Sequence, residues 1–270
     1  MVDVSVIIVN YKMRESIREA LTTLFSDIRE TALSIAVTVV DNDSSDGVGE
    51  MLARDFPKVN FLHNGGNIGF GAANNNGIKF TPAHYYFFLN PDTRFIEPNT
   101  IKRLHEFMES KPRAGICAPR LMNTDGTLQY SCCRFPRVMV PLYRRTVLGQ
   151  TGHARKHLDK FLMSGWEHDK RRMVDWVMGS AMFIRASALD EVGLWDDRFF
   201  MYFEDTDLCR RFWLDHWPVY YLSDIMLEHA HHRESAKLPV WEGVFKSKTT
   251  RYHIASWLNY LWKYRGRSSL

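Results

Sequence analysis

The stretch Tyr85-Tyr86-Phe87-Phe88-Leu89-Asn90-Pro91-Asp92 constrains the fold of this chain more than any other. Five apolar residues run unbroken and stop at a turn signal, the pattern of a strand buried on both faces. Strands of that kind belong to parallel sheets with helices on either side. The residues just past the carboxyl end of such a strand lie where open α/β sheets bind ligands. That position carries Asp92, and Pro91 fixes the backbone before it. Carboxylate oxygens suit hard divalent cations such as Mg²⁺ and Mn²⁺, so Asp92 reads as a ligand of a cation that holds a phosphorylated group. The same residues also fit a plain turn in which Asp92 caps a following helix, and the stretch alone does not choose.

The flanking sequence repeats the strand–helix alternation. Val4 to Val9 reads as a strand and Arg14 to Phe25 as a helix with Ile17, Ala20, Leu21 and Leu24 on one face. Ile35 to Val40 is a second strand, ending in the polar turn Asp41-Asn42-Asp43-Ser44-Ser45-Asp46-Gly47. A helix from Val48 to Phe56 and a short strand from Val59 to His63 follow. The loop Asn64 to Gly77 almost contains GxGxxG, but the third glycine is missing. It also follows the third strand rather than the first, which argues against a dinucleotide fingerprint. A Gly- and Asn-rich loop entering a helix still lets a ligand approach the backbone closely. Asn99 to Ser110 reads as a helix, Ala114 to Pro119 as a strand, and Asp125-Gly126 as a hairpin turn. This alternation predicts an α/β sandwich with a largely parallel sheet.

In the second half, residues 131–173 are basic and without a clean period, and read as a mobile arm over the active face or as a plain solvated insertion. Val174 to Arg185 is strand-like with Gly179 in its middle, the mark of close approach by a ligand or backbone. Phe199-Phe200-Met201-Tyr202-Phe203-Glu204-Asp205-Thr206-Asp207 then sets three carboxylates within four residues behind an aromatic run. With Asp205 opening a helix and Glu204 at its cap, Asp205 is a candidate general base, though helix capping and dipole compensation explain the same residues. Pro218 to Leu222 is strand-like, and His229 closely follows it in the cluster Glu228-His229-Ala230-His231-His232. In the tail, Trp257, Tyr260, Leu261 and Tyr264 fall on one helical face near Lys263, Arg265 and Arg267. That pattern fits an interfacial helix on anionic lipid or a helix docked on the body.

Composition sets the outer bounds. With 270 residues, 45% hydrophobic and 24% charged, the chain is one large globular domain or a domain with an appendage. The first apolar run is too short for a secretion signal, and no apolar run is long enough to span a membrane. Cys117, Cys132, Cys133 and Cys209 lack zinc-type spacing and are expected to be free thiols of a reducing compartment. The net charge of +4 conceals +7 over 131–173 and +6 over 236–270, which leaves −9 on the body. Two basic segments around an acidic core suit anionic lipid, a phosphorylated substrate or nucleic acid.

Several of these elements, in this order, resemble the family 2 glycosyltransferases, within them the bacterial rhamnosyltransferase-type enzymes of cell-surface polysaccharide assembly. The marks are Val6-Ile7-Ile8-Val9-Asn10-Tyr11, Val39-Val40-Asp41-Asn42-Asp43-Ser44, Asn67-Ile68-Gly69-Phe70-Gly71, Leu89-Asn90-Pro91-Asp92, Gly193-Leu194-Trp195-Asp196 and Tyr202-Phe203-Glu204-Asp205-Thr206-Asp207-Leu208. The resemblance covers roughly Val4 to Ser235. It implies the GT-A fold: an α/β domain over 1–235, its central and mostly parallel sheet flanked by helices, with a basic amphipathic helical tail over 236–270.

The resemblance also implies roles. Val9, Asn10, Tyr11, Asp41 and Asp43 would line the base and ribose pocket, with Asn67, Gly69 and Asn75 near the nucleotide. Asp92 matches the last carboxylate of the family's DxD metal motif, and His229 a position that supplies a further metal ligand in some relatives. Asn90 replaces the first Asp of DxD, so one negative charge at the Mg²⁺ or Mn²⁺ is lost. Asp205 matches the catalytic base, with Glu204 beside it. The implied activity is inverting transfer of a sugar from a nucleotide-diphosphate donor, dTDP-rhamnose first and a UDP-sugar next. The acceptor would be a saccharide or a polyprenyl-linked saccharide. The implied place is cytoplasmic, peripheral at the inner face of the cell membrane and in contact with anionic lipid, with no nucleic-acid partner. Two other readings remain at this point: a nucleotidyltransferase, whose Gly- and basic-rich first loop Asn10-Tyr11-Lys12 does not supply, and a catalytically inactive nucleotide- or membrane-binding module.

Overall fold

A computed structural model describes residues 1–230 and 247–266. The expected domain boundary at 235, His231, His232 and Arg267 lie outside the described residues. The chain runs through β1 (Val2–Asn10), α1 (Arg14–Asp27), β2 (Ile35–Asp41), α2 (Val48–Asp55), β3 (Asn60–His63), α3 (Phe70–Phe80), β4 (Ala83–Leu89), β5 (Thr93–Phe95) and α4 (Thr100–Ser110). It continues through β6 (Ile116–Met122), β7 (Leu128–Gln129), β8 (Cys132–Cys133), α5 (Val140–Arg145), a 3₁₀ turn (Val147–Gln150), α6 (Gly152–Leu162), β9 (Arg172–Met173), β10 (Trp176–Val177) and β11 (Ala181–Arg185). The last elements are α7 (Ala186–Val192), α8 (Glu204–Leu214), β12 (Val219–His229) and α9 (Lys248–Lys263).

The main sheet has the order β3-β2-β1-β4-β11-β6-β12-β5. β1 pairs in parallel with β2 and β4, β2 with β3, and β6 with β12, whereas β11 is antiparallel to both β4 and β6. The sheet is therefore mostly parallel, with one long strand reversed near its centre. β4 is the buried strand the apolar run demands: Tyr85 to Leu89 are all buried, and helices cover both faces. One core packs α1, α2 and α4 on one face, through Ile17, Leu21, Leu52, Leu104 and Met108. The other packs α3, α7 and α8 on the opposite face, through Ile78, Leu189, Leu208 and Phe212.

Two expectations change, and a third narrows. A strand, β5, follows Asp92, and α4 begins only at Thr100, so Asp92 caps no helix. Residues 131–173 carry two helices, and Cys132, Cys133, Val140 and Phe161 join the core; the basic side chains had concealed that apolar set. Of the two readings of the tail, its aromatic face follows the docked one: Tyr260 and Tyr264 are buried against Phe199 and Phe203, with Trp257 packed beside them. Aromatic residues at that spacing bury more area against the body than water allows them to leave exposed.

Helix α4 shows how distant residues close a local gap. Its N-cap Asn99 makes no side-chain cap bond, and the carboxylate of Asp27, at the end of α1, takes the Thr100 and Ile101 N–H groups at 2.7 and 3.1 Å instead. Replacing Asp27 with Ala leaves two buried donors without a partner. Asp27→Ala is expected to lower the unfolding free energy by about 1–3 kcal/mol, read as a lower urea midpoint at unchanged slope.

Candidate active site

Parallel strands all end on the same edge of a sheet, so their carboxyl ends gather side chains distant in sequence. Asn10 ends β1 in register with Asp41 at the end of β2, and Asp41 with His63 at the end of β3. Asn10 Nδ2 donates to Asp41 Oδ1 at 2.8 Å and to Ser44 Oγ at 2.9 Å, both within the buried interior. Asp41 also accepts from the Ser44 N–H at 3.1 Å and faces His63 Nδ1 at 3.3 Å. Burial pushes the Asp41 carboxyl up, but the bonds from Ser44, Asn10 and His63 together outweigh it and hold the group below its ordinary value. Val9 is buried beside this network, and Tyr11 (45% exposed) and Asp43 stand open at its mouth.

The Asn-rich loop is tied to the same edge. Asn42 Nδ2 donates to the Gly69 carbonyl at 3.2 Å, Asn64 Nδ2 to Asn42 Oδ1 at 2.8 Å, and Asn76 Nδ2 to Asn64 Oδ1 at 2.9 Å. Asn67 Oδ1 accepts the Gly69 N–H at 3.1 Å. Asn75 clasps the Trp195 backbone with both ends of its amide, at 2.8 and 3.0 Å. Gly69 sits at φ +90°, and a Cβ there would collide with the Phe200 carbonyl.

At the end of β4, Asn90, Asp92 and His229 come together. His229, the last residue of β12, is buried, and its Nε2 lies 3.2 Å from both Asp92 Oδ1 and Asn90 Nδ2. Its Nδ1 is 2.7 Å from Gln129 Oε1. Gln129 Nε2 donates to Asn123 Oδ1 at 2.9 Å, which orients the amide so that Oε1 accepts the Nδ1 proton. With Nδ1 bonded to Gln129, Nε2 is turned toward Asn90 Nδ2 and the Asp92 carboxylate, where it and Asp92 would share a cation. Among the described residues, no group of three or more His, Cys, Asp or Glu side chains forms a complete metal cage. The residues present fit a cation held by Asp92 and His229, with a neutral oxygen from Asn90 after an amide flip and the remaining positions left to phosphate oxygens.

The turn before β11 joins this cluster to the carboxylates of α8. The Ser180 carbonyl accepts the Asn90 N–H at 2.9 Å, and Ser180 Oγ accepts from Asn90 Nδ2 at 3.3 Å. The neighbouring Gly179 N–H donates to Asp205 Oδ2 at 3.1 Å. Asp205 Oδ1 accepts from the Thr206 N–H at 2.6 Å and from Thr206 Oγ1 at 3.2 Å. Burial raises the Asp205 carboxyl against the opposing pull of these bonds, so it keeps proton affinity while remaining fixed in direction. Glu204 is buried, with Oε2 lacking a hydrogen-bond partner, and burial first, then the Asp205 charge, push it well above its ordinary value. Glu204 therefore has a raised proton affinity beside the base candidate. Helix α8 begins at Glu204, one residue earlier than expected, with Phe203 as its N-cap.

The sequence reading missed Gln129, Ser180 and the Asp207–Arg211 pair. Asp207 and Arg211 stand at i,i+4 on α8, a spacing that flags an ion pair, and Arg211 Nε meets Asp207 Oδ2 at 2.9 Å. Arg211 also donates to the carbonyls of Val192, Gly193 and Leu194, which holds the Gly193-Leu194-Trp195-Asp196 segment in place. Gln129 and His229 are 100 positions apart, and nothing local in the sequence links them.

Comparison with known proteins agrees with this architecture. The family model for glycosyl transferase family 2 matches residues 5–163. The chain therefore belongs to glycosyl transferase family 2, and it is a glycosyltransferase. It is similar to an N-acetylglucosaminyl-diphospho-decaprenol L-rhamnosyltransferase of Mycobacterium tuberculosis, with 29% identity over 75% of this chain and 69% of the relative. It is also similar to the rhamnosyltransferase WbbL of Escherichia coli K12, with 27% identity over 96% of this chain and 92% of the relative. Among solved structures, S. aureus TarS in complex with UDP shares the fold at TM-score 0.55 and 16% identity. The match takes in 84% of this chain but 60% of that one.

Because burial raises the Glu204 carboxyl in the folded state, wild-type stability falls as pH rises above the ordinary glutamate value of 4.5 toward the raised folded value. Glu204→Gln carries no such proton. Its stability relative to wild type is expected to increase from pH 4.5 to pH 8, measured by urea unfolding at each pH; a pH-independent difference would show that Glu204 ionises freely in the folded protein.

Proposed function

We propose that this protein transfers a sugar, with inversion, from a nucleotide-diphosphate donor to a hydroxyl of a saccharide or polyprenyl-linked saccharide in cell-surface polysaccharide synthesis. The observation that carries the proposal is the Gly179-Ser180 turn, which bonds Asp205 on one side and Asn90 on the other. A base is thereby built against the pair Asp92 and His229, at the strand edge where the Asn10–Asp41 network stands. The network around Asp41 would take the base and ribose of the donor, with Val9, Tyr11 and Asp43 at its rim. Asp92 and His229, helped by Asn90, would hold Mg²⁺ or Mn²⁺ against the donor diphosphate. That cation, when bound, offsets the negative charge that develops on the departing diphosphate.

Asp205 is the general base: it takes the acceptor hydroxyl proton as that oxygen attacks the anomeric carbon from the side opposite the diphosphate. The bonds from Gly179 and Thr206 fix the carboxylate before substrate arrives, and its raised proton affinity suits the task.

The rhamnosyltransferase names of the relatives support dTDP-rhamnose as donor, with a UDP-sugar next. The decaprenol-linked N-acetylglucosamine in the name of the mycobacterial relative supports a lipid-linked acceptor. Among the described residues no helix is long and apolar enough to cross a membrane. The outer face of α9 exposes Leu258 (55%) and Trp262 (60%), with the Arg265 guanidinium 4.9 Å over the Trp262 ring. That face supports peripheral contact with anionic lipid on the cytoplasmic side.

With dTDP-rhamnose and a lipid-diphosphate-linked N-acetylglucosamine as substrates, Asp205→Asn is expected to slow transfer about 10²–10⁴-fold while dTDP binding stays as in wild type. Near-normal turnover by that variant would remove Asp205 from the role of base. Asp92→Ala is expected to abolish the response of dTDP affinity to added Mn²⁺; an unchanged response would move the cation elsewhere.

A further inference from the structure

The segment from Asp196 to Phe203 leads into α8 and contains no helix or strand. Its Phe200 carbonyl accepts the Phe70 N–H, the first of α3, at 3.0 Å. It ends in two consecutive left-handed residues, Tyr202 at φ 71° and Phe203 at φ 67°, immediately before Glu204 and Asp205. Bulky aromatic residues adopt that conformation only where the surroundings impose it.

Helix α9 supplies the surroundings. Ser256 Oγ donates to the Met201 carbonyl at 2.9 Å, and Asn259 Nδ2 to the Arg198 carbonyl at 3.3 Å. The Tyr252 ring lies 4.4 Å from Phe200, and the His253 ring 4.8 Å from Tyr202. Lys263 Nζ sits 2.6 Å from both Asp196 and Asp207, and Tyr264 O–H donates to Asp207 Oδ1 at 2.8 Å. Asp207 is fully buried and lies two residues past the base on α8. The apolar part of this contact is a cluster of its own, Phe199, Phe203, Tyr260 and Tyr264, separate from the two cores of the sheet.

We propose that α9 is a positioning element of the catalytic base. Through Ser256, Lys263 and Tyr264 it holds the 196–203 segment and Asp207, and thereby sets the direction in which the first turn of α8 presents Asp205. The proposal rests on the reading of Asp205 as base. None of the three side chains need touch substrate. Because they act on the base and not on the nucleotide network at the far end of the edge, their loss lowers turnover and leaves donor affinity unchanged. A displacement of the base by about 1 Å is enough to slow transfer about 100-fold.

The test is steady-state transfer by the full chain, with dTDP-rhamnose and a lipid-diphosphate-linked N-acetylglucosamine, comparing Ser256→Ala, Tyr264→Phe and their double variant. The expected result is a kcat lower by about 10–100-fold in the double variant, with KM for dTDP-rhamnose and dTDP affinity within twofold of wild type. Lys263→Gln falls in the same way, and Lys263→Arg, which keeps the charge, recovers most of the rate. A double variant with kcat within twofold of wild type overturns the proposal. So does one in which kcat, donor affinity and Tm all fall together, since that marks a structural role alone. If the wild type transferred nothing, the donor and acceptor proposed above would fall, and with them the base role tested on these substrates.

Discussion

The site depends on a strand that runs the wrong way. In a parallel sheet the carboxyl ends share one edge, and a reversed strand begins where its neighbours finish. β11 is that strand, between β4 and β6. The turn that feeds it, Gly179-Ser180, is thereby carried into the middle of the functional edge. It meets Asn90 with one residue and Asp205 with the other. A Cβ at Gly179 would crowd the Phe70 ring at 3.3 Å and come into ordinary contact with Asp205 Cβ at 3.5 Å, so the turn fits closely against both.

Carboxylates along this edge differ by environment rather than by kind. Asp41 accepts from Ser44, Asn10 and His63 and stays ionised despite burial. Glu204 leaves one buried carboxylate oxygen without a partner and is pushed well above its ordinary value. Asp205 lies between, its proton affinity raised by burial and moderated by backbone N–H groups. Separate roles for chemically similar groups follow from the donors around each one. His229 shows the same logic: Gln129 fixes which ring nitrogen keeps its proton, and that choice determines what the other nitrogen can bind.

The sequence carried most of the fold because its signals were local. The apolar run at β4 and the helical spacing in α1 and α4 each depend on neighbouring residues, and their positions matched within a few residues. Candidate side chains at strand ends were legible for the same reason: Asn10, Asp41 and Asp92 each follow a strand signal. Contacts between distant segments were not. Gln129 on His229, and Asn75 on Trp195, join residues 100 and 120 positions apart. The tail stayed open between lipid and body because amphipathic spacing gives the face of a helix and not what it faces; Tyr260 and Tyr264 found Phe199 and Phe203. In 131–173 the density of Arg and Lys masked Cys132, Cys133 and Phe161, which pack inward while the charged groups around them point to water.

The most direct measurement of the central claim is calorimetric titration of the protein with dTDP and with UDP, each in Mn²⁺, in Mg²⁺ and in chelator. A diphosphate nucleotide held at this edge through a cation predicts saturable binding of one of the two, markedly weakened by chelator. Absence of binding by either nucleotide under all conditions would contradict a donor site at the carboxyl ends of these strands.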